Sequence, residues 1–361
     1  MKEYQLKARR LAHKEILAYA PHGTRLPEGL EVWVANDRYK EALIKEALKA
    51  LNVPDQEWAR RINNIPTTSL HTVQTMHYTN KESGDPDVVV KGIHSAYGAE
   101  TVERYGKIFQ YLTDNEQHCP EYFGHIVGLP EPVVDEGKKE GKSANELRDL
   151  DIDAFLGGHP IGKVFTSYVK GKSLDDEEVT RLSEARRRTI LRNLAARFAF
   201  FHGAGDTHEE KKKTQSQRKK PRYYINMNDR RLSNFMYDRY GRVYVIDPES
   251  WEFFENPQER KERDFHLKHA IRHATALGLV QSLQDVRVFS KSYLSNAVTP
   301  QKGKGFKAFS RPETLADHLW KDAQEYKEMS DRIRQETEQK ERLREDAAKD
   351  KKTTKMPRSN E

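Results

Sequence analysis

The chain has little cysteine and no long apolar run. Its 361 residues include a single cysteine, Cys119, which excludes an internal disulfide framework and is typical of a reducing compartment. No stretch approaches the roughly 20 apolar residues that a membrane helix requires. Residues 1–16 are charged throughout and lack the apolar segment of a secretory signal. We therefore expect a cytoplasmic protein without a membrane span.

Hydrophobic residues are also scarce relative to charged ones. They make up 36% of the chain against 33% for charged residues, so part of the length must lie outside any core. The length still suffices for a bilobal enzyme or for two ordinary domains. The 63 Lys and Arg residues outnumber the 56 Asp and Glu residues, which gives a net charge of +7. This balance favours anionic partners such as nucleotides or phosphorylated substrates.

A polar, basic run spans residues 211–222. It is either a solvated insertion or a basic patch that attracts an anionic partner. Such a partner would be an anionic acceptor or a nucleic acid. Because no aromatic residue is interleaved with it, stacking on single-stranded nucleic acid is disfavoured. If the run has a partner, we expect an anionic one and not a nucleic acid.

The hydrophobic pattern changes period along the chain and predicts a mixed α+β fold. Helices are predicted over residues 37–53, 95–114 and 177–205, and strands over residues 88–91, 121–129 and 162–169. Residues 130–158 have the acidic, Gly-rich composition of an insertion. From about Asp322 the chain is dominated by charged residues, which indicates an exposed helix that frays into a disordered tail.

The most informative stretch covers residues 223–250. It contains Asp229, then Asn234 five positions later, and a β-rich run over residues 243–246 that ends in Asp247. A metal-dependent phosphoryl-transfer site needs a carboxylate near the attacking hydroxyl, an amide for Mg²⁺ and a second carboxylate for Mg²⁺ on a strand end. The spacing alone is a weak signal, because two common residues recur at a fixed spacing by chance. The ordered context of helix, strand, loop, turn and strand makes it specific.

In this combination of motifs the chain resembles the protein-kinase-like superfamily, most of all its aminoglycoside and choline phosphotransferase branch. The matching letters are Met227-Asn228-Asp229, Asn234 and Ile246-Asp247. A looser likeness extends to lipopolysaccharide-sugar kinases. The resemblance covers roughly residues 65–275 and implies ATP- and Mg²⁺-dependent transfer of a phosphoryl group.

The resemblance implies a bilobal α+β kinase-like fold. The predicted parts are a helical N-terminal extension, a small lobe, a helical large lobe, and a charged helix with a disordered tail. In that order they span residues 1–66, 67–170, 171–320 and 321–361.

The same resemblance implies roles for the residues of the motif. Asp229 would accept or orient the proton of the attacking hydroxyl. Asn234 and Asp247 would hold Mg²⁺ against the nucleotide phosphates.

For the nucleotide itself, the resemblance implies residues in the small lobe. Lys91, which ends a Val-Val-Val strand, would pair with the α- and β-phosphates of ATP. An acid on the following helix would steady it, either Glu103, which we prefer, or Glu100. The backbone of Tyr168 and Val169 would meet the adenine as a hinge.

Two departures from the family pattern bear on activity. Met227 stands where the family carries His. The segment that would cover the phosphates, residues 67–72, has no glycine, so that Ser69 would offer its hydroxyl and backbone N–H instead. A catalytically inactive pseudokinase scaffold, with the charged C-terminal helix as its interaction arm, therefore stays an alternative.

The residues after Asp247 bear on the acceptor. The next helical pattern begins near Pro257, which leaves little room for a long activation segment, and no Ala-Pro-Glu-like anchor follows. This favours a small molecule or glycan as acceptor, with a protein Ser/Thr kinase as the alternative.

Overall fold

The computed structural model describes twelve parts of the chain. They are residues 4–50, 62–65, 72–76, 78, 86–93, 98–129, 161–202, 224–228, 231–248, 250–254, 260–296 and 311–353. The expected insertion at 130–158, the basic run at 211–222, Ser69 and Asp229 lie outside them. Among the described helices, none combines the length and apolarity needed to cross a bilayer.

The chain divides into two compact units. The first comprises residues 1–176 and 200–258, and the second comprises residues 177–199 and 259–361. The first unit contains helices and antiparallel sheets and the second contains helices, which confirms the α+β fold class. The lobe boundaries inferred from the sequence stay a prediction.

The first unit is built on helices and three sheets. Its helices are α1 (His13–Leu17), α2 (Lys40–Ala50) and α3 (Gly98–Asp114). The strands up to the middle of the chain are β1 (Arg9–Arg10), β2 (Glu31–Val34), β3 (Ile62–Ile65), β4 (Thr72–Met76), β5 (Val88–Ile93), β6 (Tyr122–Leu129), β7 (Ile161–Ser167) and β8 (Lys172–Ser173). The later strands are β9 (Tyr224–Met227), β10 (Phe235–Tyr237), β11 (Val243–Val245) and β12 (Trp251–Phe254).

Seven strands form one antiparallel sheet in the order β1-β2-β6-β7-β5-β4-β3. The strand predicted over residues 88–91 is β5, which pairs with β4 and sets Lys91 opposite Val73. The strands predicted over 121–129 and 162–169 are β6 and β7 to within two residues. The N-terminal segment holds the helices α1 and α2, and it also adds β1 and β2 to the sheet beside β6, which the sequence reasoning missed.

The two faces of the sheet are covered by different helices. Leu43 and Ile44 of α2 join Val88 and Val90 of β5 in one core cluster. Since side chains alternate along a strand, Lys91 lies on the opposite face, where α3 packs against β6 and β7. The helical period of α3 buries apolar residues along this face, as predicted.

A glycine sets how closely α3 approaches the sheet. A Cβ atom on Gly106 would lie 2.7 Å from Cζ of the Tyr122 ring on β6. A larger residue fits there only if the Tyr122 ring shifts. Glycine has a low helix propensity, but at this position it allows α3 to pack closely on β6.

Two smaller sheets complete the first unit. β10 pairs with β11 and β8, and β9 pairs with β12. Trp251 on β12 is fully buried and packs against the rings of Phe201 and Phe235, so it belongs to the core.

The second unit is helical. A 3₁₀ turn (Glu177–Arg181) precedes α4 (Glu184–Phe201), whose last two residues belong to the first unit. The other helices are α5 (Arg260–Ala276), α6 (Leu283–Asn296) and α7 (Pro312–Thr353). Buried apolar residues of these four helices form the core, and α7 is exposed along its whole length from residue 331 to 340.

Candidate active site

The predicted metal ligands flank one short hairpin. Asn234 ends a 3₁₀ turn that leads into β10, and Asp247 follows β11 by two residues. The ladder sets Phe235 opposite Val245. It continues one step further, because the N–H of Ile246 donates to the carbonyl of Asn234 over 3.0 Å. The hairpin thus brings the backbones of Asn234 and Asp247 to the same end of the strand pair.

Asp238 closes the other end of this hairpin. Its carboxylate accepts hydrogen bonds from the backbone N–H of Tyr240 and Arg242 and from the Arg242 guanidinium. Burial raises the pKa of the Asp238 carboxyl, but these hydrogen bonds lower it by more, so that its pKa lies below the usual value. An ionised Asp238 therefore fixes the turn and, through the strand pairing, the opposite end with Asn234.

Lys91 reaches the same strand end from the large sheet. Its Nζ lies 2.7 Å from Oδ1 of Asp247, although the two residues are 156 positions apart in the chain. The Lys91 side chain is 8% exposed and that of Asp247 is 32% exposed. A buried ammonium is stable only when it is paired, and this ion pair meets that need. The geometry thus joins two residues to which the resemblance gave separate roles.

Tyr105 on α3 completes this cluster, and the sequence analysis gave it no role in the site. Its Oη lies 2.9 Å from the carbonyl oxygen of Ile246 and 3.3 Å from Oδ1 of Asp247. The Lys91 Nζ lies 5.4 Å from the centre of the Tyr105 ring, within the range of a cation–π contact.

The predicted acid partner of Lys91 is placed differently. The Glu103 carboxylate lies 2.8 Å from Nζ of Lys107, one helical turn further along α3, and its side chain is 50% exposed. Glu100, the alternative, is also exposed. Within the described part of the chain, neither acid is brought to Lys91. The role of Glu103 stays a prediction.

The predicted hinge follows β7 directly. The N–H of Tyr168 donates to the carbonyl of Asp87 over 3.2 Å, which ties the start of the hinge to the residue before β5. No backbone hydrogen bond joins Val169 to another described residue. The hinge role of Tyr168 and Val169 stays a prediction.

The residues around Asp229 are only partly described. Met227, which replaces the family's His, ends β9 opposite Trp251 and is fully buried. It therefore serves the core and contributes no hydrogen bond of the kind that His would make. The roles of Asp229 and Ser69 lie beyond the described residues and stay predictions.

The donor set fits Mg²⁺ and a nucleotide. Among the described residues, none donates a hydrogen bond to Oδ2 of Asp247, whereas Oδ1 is held by Lys91 and Tyr105. A carboxylate and a carboxamide from the same end of one hairpin suit a hard cation, which Mg²⁺ sites complete with phosphate and water oxygens. Lys91 supplies a positive charge next to that position.

Comparison with known proteins finds likeness in structure only. No protein-family profile and no curated protein sequence matches the chain. Among solved structures, the chain is similar to the aminoglycoside phosphotransferase APH(2'')-Ib in its ADP-bound form, with 13% identity and a TM-score of 0.40 over 77% of this chain and 89% of that one.

The chain is also similar to two further solved structures. One is the amicoumacin kinase hAmiN in complex with AMP-PNP, Ca²⁺ and Ami, with 12% identity and a TM-score of 0.39 over 85% of this chain and 86% of that one. The other is the streptomycin-ATP-APH(2'')-IIa ternary complex, with 13% identity and a TM-score of 0.37 over 80% of this chain and 92% of that one. Because all three are distant, the functional proposal depends on the chain's own contacts.

Proposed function

We propose that the protein is an ATP- and Mg²⁺-dependent phosphotransferase that moves the γ-phosphoryl group to a hydroxyl of a small molecule or sugar. The observation that carries the proposal is the 2.7 Å ion pair between Lys91 and Asp247. It unites, in a half-enclosed position, a cation suited to phosphates and a carboxylate suited to a metal ion.

The proposed phosphoryl transfer depends more on the positioning of the reacting groups than on a reactive side chain. Phosphoryl transfer proceeds when the attacking and leaving oxygens are in line and the charge on the phosphate oxygens is neutralised. Lys91 would pair with the phosphates, and Asn234 and Asp247 would hold Mg²⁺, which supplies further charge neutralisation when bound. Asp229 would orient the acceptor hydroxyl and take its proton.

The acceptor is proposed from the chain that follows Asp247. β12 begins at Trp251 and pairs at once with β9, so that only three residues lie between the carboxylate and this strand. A protein kinase presents its peptide substrate along a longer segment after the metal-binding Asp. The short connection therefore supports a small acceptor.

A phosphoryl-transfer assay tests both the proposed activity and the class of acceptor. The protein is incubated with γ-labelled ATP and Mg²⁺, in one series with panels of small hydroxyl compounds and sugars, and in another with generic protein substrates. We expect label on a small compound. Asp229→Asn should lower the rate by about a hundredfold or more, the usual contribution of a positioned base.

The other outcomes separate the alternatives. Label on proteins alone would make the chain a protein kinase. Nucleotide binding without transfer to any acceptor would favour the inactive scaffold, for which the buried Met227 in place of His is the specific observation.

A further inference from the structure

Tyr105 touches both charged residues of the proposed nucleotide site. Its hydroxyl reaches Ile246 and Asp247, and its ring lies beside the Lys91 ammonium. We propose that Tyr105 is the positioning residue of this site: its hydroxyl orients Asp247 for Mg²⁺, and its ring holds Lys91 for the phosphates. This inference rests on the proposed function and names a residue that the family resemblance did not supply.

The hydroxyl controls the carboxylate through the main chain. A tyrosine hydroxyl has one proton to donate, and the nearer acceptor is the carbonyl of Ile246 at 2.9 Å. Tyr105 is 3% exposed, so that water does not compete for this bond. The backbone just before Asp247 is thereby fixed to α3, and Oδ1 is directed toward Tyr105 and Lys91. The other oxygen, Oδ2, is left for a cation.

The ring has a separate task. When a nucleotide binds, its phosphates compete with Asp247 for the Lys91 ammonium. An ammonium in an enclosed site needs a favourable electrostatic contact whichever anion it faces, and an aromatic face within about 6 Å supplies one. The Tyr105 ring therefore keeps Lys91 in place when its ammonium faces the phosphates as well as Asp247.

Tyr105 contacts Lys91 as a neutral group, unlike the acid that the resemblance implies for this position. The hydroxyl of Tyr105 adds no charge, whereas Glu103 is occupied with Lys107. The full charges of Lys91 and Asp247 stay available to the nucleotide and the metal.

Two substitutions separate the hydroxyl from the ring. Tyr105→Phe removes the hydroxyl alone, and Tyr105→Leu removes the ring as well. Tyr111→Phe is the matched control, because Tyr111 is a buried tyrosine on the same helix whose ring packs against Tyr4 and Phe253. For each full-length variant, calorimetry gives the affinity for a non-hydrolysable ATP analogue with Mg²⁺ and with EDTA, and a thermal scan gives Tm.

The proposal predicts a pattern that a general loss of structure would not produce. Tyr105→Phe should weaken binding with Mg²⁺ by about three- to tenfold, the effect of losing one hydrogen bond between neutral groups, and leave binding in EDTA within about twofold. Tyr105→Leu should weaken binding in both conditions. The control should change neither.

Each other result overturns a defined part of the account. If Tyr105→Phe keeps the full gain in affinity from Mg²⁺, Tyr105 does not position Asp247, and the proposed function stands. If it weakens binding equally in Mg²⁺ and EDTA and lowers Tm, its role is only structural and the inference is wrong. If the wild type binds no nucleotide in either condition, the proposed function fails, and the inference fails with it.

Discussion

A substitution at Gly106 tests the packing of α3 most sharply, because two effects of opposite sign on the stability of the protein meet at this position. In a helix interior, Gly→Ala stabilises by about 1 kcal/mol through helix propensity. At Gly106 the new Cβ would lie 2.7 Å from Cζ and 2.9 Å from Oη of Tyr122. Such overpacking of a core costs about 1–3 kcal/mol.

The Tyr122 ring has little freedom to withdraw. It is buried, and its hydroxyl is hydrogen-bonded to Nδ1 of His125, which is also buried. Burial lowers the pKa of His125 to about 3, so that this pair stays neutral and enclosed at ordinary pH. The steric cost should therefore lie in the upper half of its range.

We expect Gly106→Ala to destabilise the protein by about 1–2 kcal/mol and to lower Tm by about 2–4 °C per kcal/mol. In a Tyr122→Leu background the clash is removed, and the same substitution should raise Tm. Thermal scans of the four proteins of this cycle measure the coupling. A Gly106→Ala protein that is more stable than wild type would refute the reasoning, and so would an equal loss in both backgrounds.

Three further predictions concern single side chains. Lys91→Met should abolish Mg²⁺-dependent ATP binding in calorimetry yet change Tm by less than about 3 °C, since removing a buried charge offsets the loss of its ion pair; unfolding of the variant would contradict this. Asp238→Asn should cost about 1 kcal/mol in urea unfolding at pH 7, because it weakens the hydrogen bonds from Arg242 and the turn. Because the pKa of Asp238 is lowered in the folded protein, its ionised form stabilises the fold above the unfolded pKa of about 4, and this stabilisation is lost as the pH falls below that value. The stabilities of wild type and Asp238→Asn should therefore converge in acid. A stability difference that grows in acid would contradict this prediction. Asp285→Ala should cost about 3 kcal/mol by the same measurement, because the buried carboxylate pairs with Arg188 and caps α6; a loss near zero would show that neither contact stabilises the unit.

The sequence predicted those elements whose pattern is local. β5, β6 and β7 follow from apolar runs between turn residues, and α2 and α3 follow from helical periodicity. The start of α4 was placed too early. Residues 177–181 form a 3₁₀ turn, and the helix begins at Glu184 after Ser183, whose hydroxyl accepts from the N–H of Arg186. That capping serine was the available signal.

Other boundaries and strands depend on signals that the periodicity does not carry. α7 begins at Pro312, about ten residues before the expected start, and a proline in the first turn of a helix was the missed sign. β1 has two residues and β2 has four. Such short strands are stabilised by pairing, here of β1 with β2 and of β2 with β6, rather than by their own composition.

In the candidate site, too, some residues could be predicted from the sequence and others could not. Motif order selected Lys91 and Asp247, which the fold brings into contact. The contribution of Tyr105 was hidden, because periodicity places a buried tyrosine in the core and says nothing of where its hydroxyl points. That depends on how closely α3 packs on the sheet, which Gly106 and Tyr122 decide in three dimensions.

The central claim is that Lys91 and Asp247 form a nucleotide–Mg²⁺ site. The most direct test is a thermal-shift titration with ATP, with and without Mg²⁺, on the wild type and on Asp247→Ala in parallel. A ligand that binds the folded state raises Tm by mass action. We predict a Mg²⁺-dependent rise in the wild type that is absent from Asp247→Ala. No rise in either protein at millimolar ATP, or an equal rise in both, would contradict the account.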